Sequence, residues 1–351
     1  RLSASATYLY QDGSRYWYST QPTVTKLADD RAEQLKREPD AVVEEIEKRL
    51  RTDLRKMGDF NRVQPLPGSG VDVPDDLETR LVVLRPDHPY VKDGESPAEK
   101  MAKSILASRG NAPRLFQNTL VFLAVDSTRL QDLDEAVRRY MAWNSILIEK
   151  DNLDLSPHQV RQGETQMRAA EGAVVARLPE AYQWLLVPTQ EKPQDPVSWQ
   201  AFRLTGNDHL AVRASKKLKN DELLVTSMAG TRLLMELDRV PLWRGDNVAI
   251  KQLTEDYAKY LYLQRMTDMD VLGNAIRDGV SLGSWEQDSF AYADSYDEAT
   301  ARYRGLRAGE HVGLAMSAPQ GLLVKAAVAK AQLVAEHEAR TASTGAAPAS
   351  G

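Results

Sequence analysis

Cysteine is absent from this chain of 351 residues, which excludes disulfide bonds, thiol nucleophiles and zinc sites with cysteine ligands. Apolar runs are short, and none approaches the roughly 20 residues that a membrane-spanning helix needs. No charged-then-apolar leader opens the sequence either. Together these absences favour a cytoplasmic protein that makes no contact with a membrane.

A phosphate-binding loop is missing as well. P-loop ATPases hold phosphates with the backbone amides of a Gly-rich loop that closes in Gly-Lys-Ser/Thr. The nearest Gly-rich segment, Gly68 to Gly70, is followed by neither a lysine nor a helix start. The chain also begins with Arg1 rather than methionine and enters a strand-like segment at once. We interpret it as a piece of a longer polypeptide, with a trimmed complete protein as the alternative.

Histidine is scarce, and none of the five histidines is spaced with another histidine or an acid as metal ligands usually are. His88, in a loop, could act in catalysis or simply lie at the surface. There is no Gly-x-Ser-x-Gly elbow, and the serines have no evident histidine and acid partners. The sequence therefore predicts no metal site and no catalytic residue, and leaves any cofactor-binding residues unknown.

Length and composition are those of a soluble globular protein. Hydrophobic residues make up 42% of the chain and charged residues 27%, and the length predicts two or three domains. The formal net charge of −5 gives no overall attraction to nucleic acid, but it leaves room for a local basic patch.

The order of residue patterns predicts an α/β unit followed by a mainly helical unit. Aromatic runs on both sides of Asp12-Gly13 predict a β-hairpin, and the long helix after it is broken near Pro39 and restarts with a cap at Asp40. The predicted regions are the hairpin and helix over 1–58, the α/β domain over 59–205, the helical domain over 206–318, a C-terminal helix over 319–340 and a disordered tail over 341–351.

Apolar runs that alternate with helical patterns predict a Rossmann-like layered arrangement for the α/β domain. Ser96 and Pro97 mark a strong helix start, because serine caps the first turn and proline fits the first helical position. Pro188–Pro196 predicts an exposed connection. The predicted strands are Arg62–Pro67, Thr79–Leu84, Asn118–Asp126 and Tyr182–Pro188, and the predicted helices are 96–109, Leu130–Glu149 and Pro157–Leu178.

The helical domain has the outline of a winged helix, in which helices joined by a tight turn precede a hairpin. Trp285–Tyr292 and Gly309–Met316 are the predicted strands of that hairpin. The predicted helices are Leu223–Leu237, Val248–Arg265, Asp268–Asp278 and, after the hairpin, Gln320–Arg340.

Asp126 is the first candidate site residue, because it ends a buried apolar strand. In P-loop ATPases an acid in that position holds Mg²⁺. Asp126 could therefore bind Mg²⁺ or orient a water molecule. The alternative is that Asp126 and Ser127 start a turn or cap the next helix, as polar residues after a buried strand commonly do.

Basic residues are the candidates for nucleic-acid contact. Arg213–Lys219 is the most basic short run; it could neutralise phosphates, but Asp221 and Glu222 follow at once, which also fits a solvated helix start. Acids also run through the winged region, and winged helices serve as protein-contact modules too. The residues that could line a nucleic-acid face there are Lys259, Arg265, Arg302, Arg304 and Arg307.

Several longer segments carry a family pattern rather than a mechanistic motif. They are Tyr8–Pro22, Asn118–Asp126, Trp184–Pro188, Asp256–Leu263 and Phe290–Glu298 with Tyr303–Leu306. From Tyr8 to Met316 the chain resembles the C-terminal part of the large prokaryotic ATP-binding proteins known as the domain of unknown function 499 family.

This resemblance implies an AAA-like ATPase that accompanies DNA methyltransferases and helicases in bacterial anti-phage gene clusters. ATP and Mg²⁺ would be bound by a region N-terminal to this chain, so no nucleotide-binding or catalytic residue carries over to it. The leading hypothesis is a non-catalytic region that couples its own N-terminal ATPase region to DNA or to a protein partner. The alternatives are a protein-assembly module without nucleic-acid binding and a stand-alone α/β enzyme with its site near Asp126.

Overall fold

The chain has a mixed α/β structure, as predicted. The computed structural model describes residues 9–12, 15–18 and 23–345. At the N-terminus β1 (Leu9–Asp12) pairs antiparallel with β2 (Arg15–Tyr18), which confirms the predicted hairpin. The residues of its turn lie outside the described part of the chain.

Two helices follow the hairpin, and Pro39 separates them. They are α1 (Val24–Gln34) and α2 (Pro39–Asp53). Pro39 takes the first position of α2, where its missing backbone N–H leaves no hydrogen bond unmade, and Asp40 lies in the first turn rather than at the cap. Three apolar residues of α2, each four positions apart, pack against the sheet described next: Val42, Ile46 and Leu50.

A five-stranded sheet forms the centre of the α/β unit. The strands of this unit are β3 (Arg62–Pro65), β4 (Arg80–Val83), β5 (Ser108–Arg109), β6 (Ala112–Pro113), β7 (Leu120–Ala124), β8 (Trp184–Thr189) and β9 (Ser198–Arg203). The sheet order is β3-β4-β7-β8-β9. The β3–β4 and β4–β7 pairings are parallel, and the β7–β8 and β8–β9 pairings are antiparallel. Strands β5 and β6 form a separate small hairpin. The sheet is therefore mixed.

Helices cover both faces of this sheet. The helices of the unit are α3 (Pro97–Ala107), α4 (Ser127–Ile148), α5 (Pro157–Ala181) and α6 (Leu210–Asn220). Val121 and Leu123 of β7 face the core formed with α2, α4, α5 and α6, whereas Leu120 and Phe122 face α3. Burial on both faces explains the continuous apolar run of β7. Helices α2 and α6 share one core with the sheet, although both lie outside the range 59–205 that the sequence predicts for this domain.

The helical unit contains a second, smaller sheet. Its elements are α7 (Gly230–Arg239), β10 (Asn247–Ala249), α8 (Ile250–Lys259), α9 (Met269–Ser281), α10 (Trp285–Asp288), β11 (Phe290–Ala293), β12 (Ser295–Asp297), β13 (Arg302–Arg304), β14 (Leu322–Lys325) and α11 (Ala326–Gly345). Strand β14 lies between β10 and β11, and both pairings are antiparallel. Strands β12 and β13 form a hairpin between β11 and β14.

Several predicted boundaries in this unit are wrong. The partner strand of β11 is Leu322–Lys325 and not Gly309–Met316, whose apolar residues instead pack in the core with α9. Trp285 starts a helical turn rather than a strand. The helix expected from Leu223 begins only at Gly230, because the backbone of Val225 hydrogen-bonds to Arg265 and Thr267 instead.

The last helix starts after β14, at Ala326, and continues to Gly345 rather than ending at Arg340. Among the described residues, no helix is both long and apolar enough to cross a membrane.

Candidate functional site

Asp126 lies at the carboxyl end of β7 and caps α4. One carboxylate oxygen, Oδ1, accepts hydrogen bonds from the Thr128 amide at 2.8 Å, the Thr128 hydroxyl at 2.6 Å and the Arg129 amide at 3.2 Å. The other, Oδ2, accepts from Trp184 Nε1 at 2.7 Å and Gln183 Nε2 at 3.0 Å. Five donors thus surround the carboxylate.

These contacts decide between the two interpretations of Asp126. Partial burial raises its pKa, but the hydrogen bonds from Thr128, Trp184 and Arg129 outweigh burial and lower the pKa to about 2. Asp126 is therefore ionised at neutral pH, which makes it a poor general base, and its lone pairs are already used. The interpretation as a helix cap is confirmed.

Replacing Asp126 with alanine should destabilise the fold by about 2 kcal/mol, because α4 loses its cap and buried donors lose their acceptor. Since the pKa is lowered from 3.8 to about 2 in the folded state, the stabilising effect is complete above the unfolded pKa. It is lost as the pH falls through the folded value. Urea unfolding of both proteins at neutral pH and at a pH near 2 measures this, and the difference should shrink at low pH. A difference that stays constant with pH would contradict the role.

The predicted nucleic-acid residues do not lie in one exposed patch. Arg265 is buried, and it donates from Nε to the Asn118 carbonyl at 2.7 Å, from Nη2 to the Pro188 carbonyl at 3.1 Å and from Nη1 to the Leu223 carbonyl at 3.4 Å. Burial lowers its pKa to about 10, so it stays charged at neutral pH. The prediction that Arg265 contacts nucleic acid is wrong, because carbonyls enclose its guanidinium.

Two further arginines are paired with acids on or directly beside the β12–β13 hairpin. Arg304 donates to Asp297, and Arg307 donates to both oxygens of Asp294 at 2.9 and 3.0 Å. Lys259 and Arg302 are exposed, and within the described residues neither has a carboxylate at ion-pair distance. Of the five predicted residues, Lys259 and Arg302 are thus the two without an ion-pair partner in the part of the chain that the structure describes.

The basic run in α6 is also engaged in contacts within the chain. Arg213 is buried and donates to backbone carbonyls. The lysines of the run form ion pairs: Lys216 with Asp208 at 2.6 Å, Lys217 with Asp221 at 2.8 Å and Lys219 with Asp59 at 2.6 Å. This helix therefore presents no free basic stripe.

The helical unit joins the α/β unit at the end of the sheet opposite to Asp126. Asn118, just before β7, donates from Nδ2 to the carbonyls of Tyr257 and Leu263 at 2.9 and 3.2 Å. Thr79, just before β4, donates to the carbonyl of Met266. With the bonds of Arg265, these contacts form a buried polar seam at the amino end of the parallel strands.

Among the cavities of the described residues that charged side chains line, two lie beside the α/β sheet and its helices. One groove of about 620 Å³ lies between α1, α4 and α5, and its charges pair within it, as Lys36 does with Glu33 and Arg139 with Glu135. The other, of about 350 Å³, lies at the carboxyl end of β7 beside Asp126. Its arginines, Arg129, Arg203 and Arg213, come from three separate segments, so no local pattern in the sequence reveals them.

In the part of the chain that the structure describes, no three histidines or acids cluster as a metal site would require. Comparison with protein-family models, with curated proteins and with solved structures gave no match in any of the three searches.

Proposed function

We propose that this chain is a non-catalytic region of a larger AAA-like ATPase that couples nucleotide-driven movement to a protein partner. The order of elements in the helical unit carries the proposal. Helix α7, strand β10, helices α8 and α9, and strands β11 and β14 come in this order, with the short α10 before β11 and the β12–β13 hairpin before β14. Strand β14 lies between the other two strands. This order supports a winged-helix module, in which residues 294–321 would form an enlarged wing.

The α/β unit supports the first half of the proposal. Three parallel strands with helices on both faces suit a Rossmann-like unit of a nucleotide-driven protein, and the family resemblance points to an ATPase region outside this chain. No phosphate-binding loop accompanies the sheet, and Asp126 serves as a cap. We therefore place ATP and Mg²⁺ outside this chain.

The buried seam between the units supports a coupling role. Arg265 binds carbonyls of three segments: the residue before β7, strand β8 and the loop before α7. A buried cation held by three carbonyls resists sliding, because movement would leave its charge without partners. A shift of the sheet would therefore move α8 and α9 with it.

Charge and packing favour a protein rather than DNA as the partner. In DNA-binding members of this architecture the helix equivalent to α9 enters the major groove. Here its exposed residues are Asp270, Asn274 and Asp278. An adjacent side, at Gly273 and Arg277, is covered by the segment that contains Leu314 and Met316. Acidic side chains repel phosphates, so this helix is a poor reader of DNA.

The wing also carries acidic residues beside its basic ones. Within residues 294–321, four acids accompany the three predicted arginines: Asp294, Asp297, Glu298 and Glu310. A mixed, nearly neutral surface of this kind suits a protein contact, in which opposite charges select the partner. The DNA methyltransferases and helicases implied by the resemblance are the candidate protein partners.

An ATP-turnover assay on the purified chain tests the proposal. We expect no hydrolysis above the rate of a buffer control with Mg²⁺ present. The Asp126→Ala variant serves as the comparison for the stand-alone enzyme hypothesis. Turnover by the wild-type chain would contradict the proposal, and turnover that disappears in Asp126→Ala would instead favour an enzyme with its site at the carboxyl end of β7.

A further inference from the structure

We infer that the cavity at the carboxyl end of β7 binds a phosphate-bearing ligand. Three arginines line it, from the first turn of α4 (Arg129), the end of β9 (Arg203) and α6 (Arg213). Glu180 is the one acid among its lining residues. Nothing in the proposed coupling function requires this cavity, so the inference stands apart from it.

A hydrogen bond from Nε fixes the side chain of Arg203 and leaves its two Nη atoms available to a ligand. Its Nε donates to Gln183 Oε1 at 2.9 Å, and Gln183 in turn donates from Nε2 to Asp126 at 3.0 Å. Gln183 is buried, so the two bonds fix its amide. Within the described residues the Nη atoms of Arg203 have no hydrogen-bond or ion-pair partner. These two nitrogens can therefore donate hydrogen bonds to two oxygens of one phosphate, as arginine commonly does in bidentate contacts.

Arg213 contributes a fixed positive charge to the same cavity. Its side chain is buried and donates to the carbonyls of Gly206 at 3.2 Å, Pro179 at 3.0 Å and Tyr182 at 3.0 Å. No carboxylate in the described chain lies within ion-pair distance of it. Its buried Nε has no hydrogen-bond partner among the described residues, and Asp53 and Asp208 act on its charge only from beyond ion-pair distance. An anion in the cavity would therefore be attracted to it.

A loop held by Arg213 adds backbone donors. Gly206 has φ +92°, and the amide N–H groups of Thr205, Gly206 and Asn207 find no acceptor within the described part of the chain. Consecutive free amides at a positive-φ glycine are common elements of anion sites. Together with the arginines, this loop gives the cavity donors from both side chains and backbone.

The acids near the cavity have partners of their own: Asp126 accepts hydrogen bonds from Gln183 and Trp184, and Asp208 pairs with Lys216 at 2.6 Å. Glu180 pairs with Arg177 at 2.8 Å, and Arg129 is only loosely paired with Asp132 at 3.5 Å. The cavity also lies at the carboxyl end of parallel strands, where ligands of open α/β sheets collect. Its volume of about 350 Å³ suits one small phosphate ester rather than a dinucleotide.

Calorimetric titration of the full chain with ribose 5-phosphate and with inorganic phosphate, at constant ionic strength, tests the inference. We expect saturable binding that Arg203→Gln weakens by about tenfold or more, because a charge-assisted hydrogen bond is lost. Glu180→Gln should tighten binding by about twofold to fivefold, because it removes the acid of the lining.

Arg139→Gln is the control for the loss of one arginine, since Arg139 lies on α4, pairs with Glu135 and lines the other groove. It should leave the affinity unchanged. Binding of either probe that is lost in Arg203→Gln alone supports the site, and preference between the probes separates a phosphate ester from free phosphate. No saturable binding of either probe up to about 10 mM, or an equal loss in Arg139→Gln, would overturn the inference.

Discussion

Gly230→Ala should unfold or severely loosen the helical unit, with a loss of at least about 3 kcal/mol in the free energy of unfolding. A Cβ on Gly230 would lie 2.2 Å from Gly279 Cα and 2.3 Å from Gly279 N, so the added methyl meets backbone rather than a movable side chain. The Gly230 amide also donates to Asp278 Oδ2 at 2.7 Å, which ties α7 to α9. Separating the helices would break that contact too.

Gly172→Ala is the matched control for this substitution. Gly172 is an exposed glycine inside α5, and no atom lies within 4 Å of a Cβ built on it. Alanine should therefore stabilise the fold, by about 1 kcal/mol, through its higher helix propensity. Urea unfolding of both variants, with hydrogen exchange at α9 to locate the effect, makes the comparison. If Gly230→Ala is as stable as the wild type, the close crossing of α7 and α9 is wrong.

Arg265→Met should cost about 3 kcal/mol or more, because it leaves buried carbonyls without donors. The carbonyls concerned belong to Asn118, Pro188 and Leu223, so the loss affects the seam between the two units rather than one element. Arg265→Lys should recover only part of the stability, since one ammonium group cannot replace the guanidinium fork at three carbonyls.

Arg302→Met provides the control, because Arg302 is exposed and should change stability by no more than about 0.5 kcal/mol. Equilibrium unfolding in urea measures all three variants. In the wild-type chain both units should unfold in one transition, and in Arg265→Met the transitions should separate. If Arg265→Met and Arg302→Met behave alike, Arg265 does not hold the units together.

Local signals in the sequence predicted much of the α/β unit. Strand β7 could be identified because burial on both faces requires an unbroken apolar run. The Ser96 cap could be identified because a serine before a helix commonly accepts a bond from the amide three residues on, here that of Glu99. Strand β9 was missed. It is an edge strand, and its exposed Ser198, Gln200 and Arg203 make it resemble a loop.

The functional features were harder to predict, because they depend on contacts between distant segments. Arg265 is buried because it hydrogen-bonds to carbonyls of residues that are 147, 77 and 42 positions away in the sequence. The arginine cavity likewise gathers Arg129, Arg203 and Arg213 from α4, β9 and α6. Charge alone made Arg265 a candidate for phosphate contact and gave no reason to select Arg203.

The central claim is that the helical unit acts on a protein rather than on DNA. The most direct test is a titration of the chain with duplex and single-stranded DNA at low and physiological salt. The comparison is a Lys259→Ala/Arg302→Ala variant, which lacks the two predicted DNA-contact residues that have no ion pair within the described residues. We predict binding no tighter than about 10⁻⁴ M at physiological salt, with little difference between the proteins. Binding tighter than about 10⁻⁶ M that falls steeply with salt and is lost in the variant would contradict the claim.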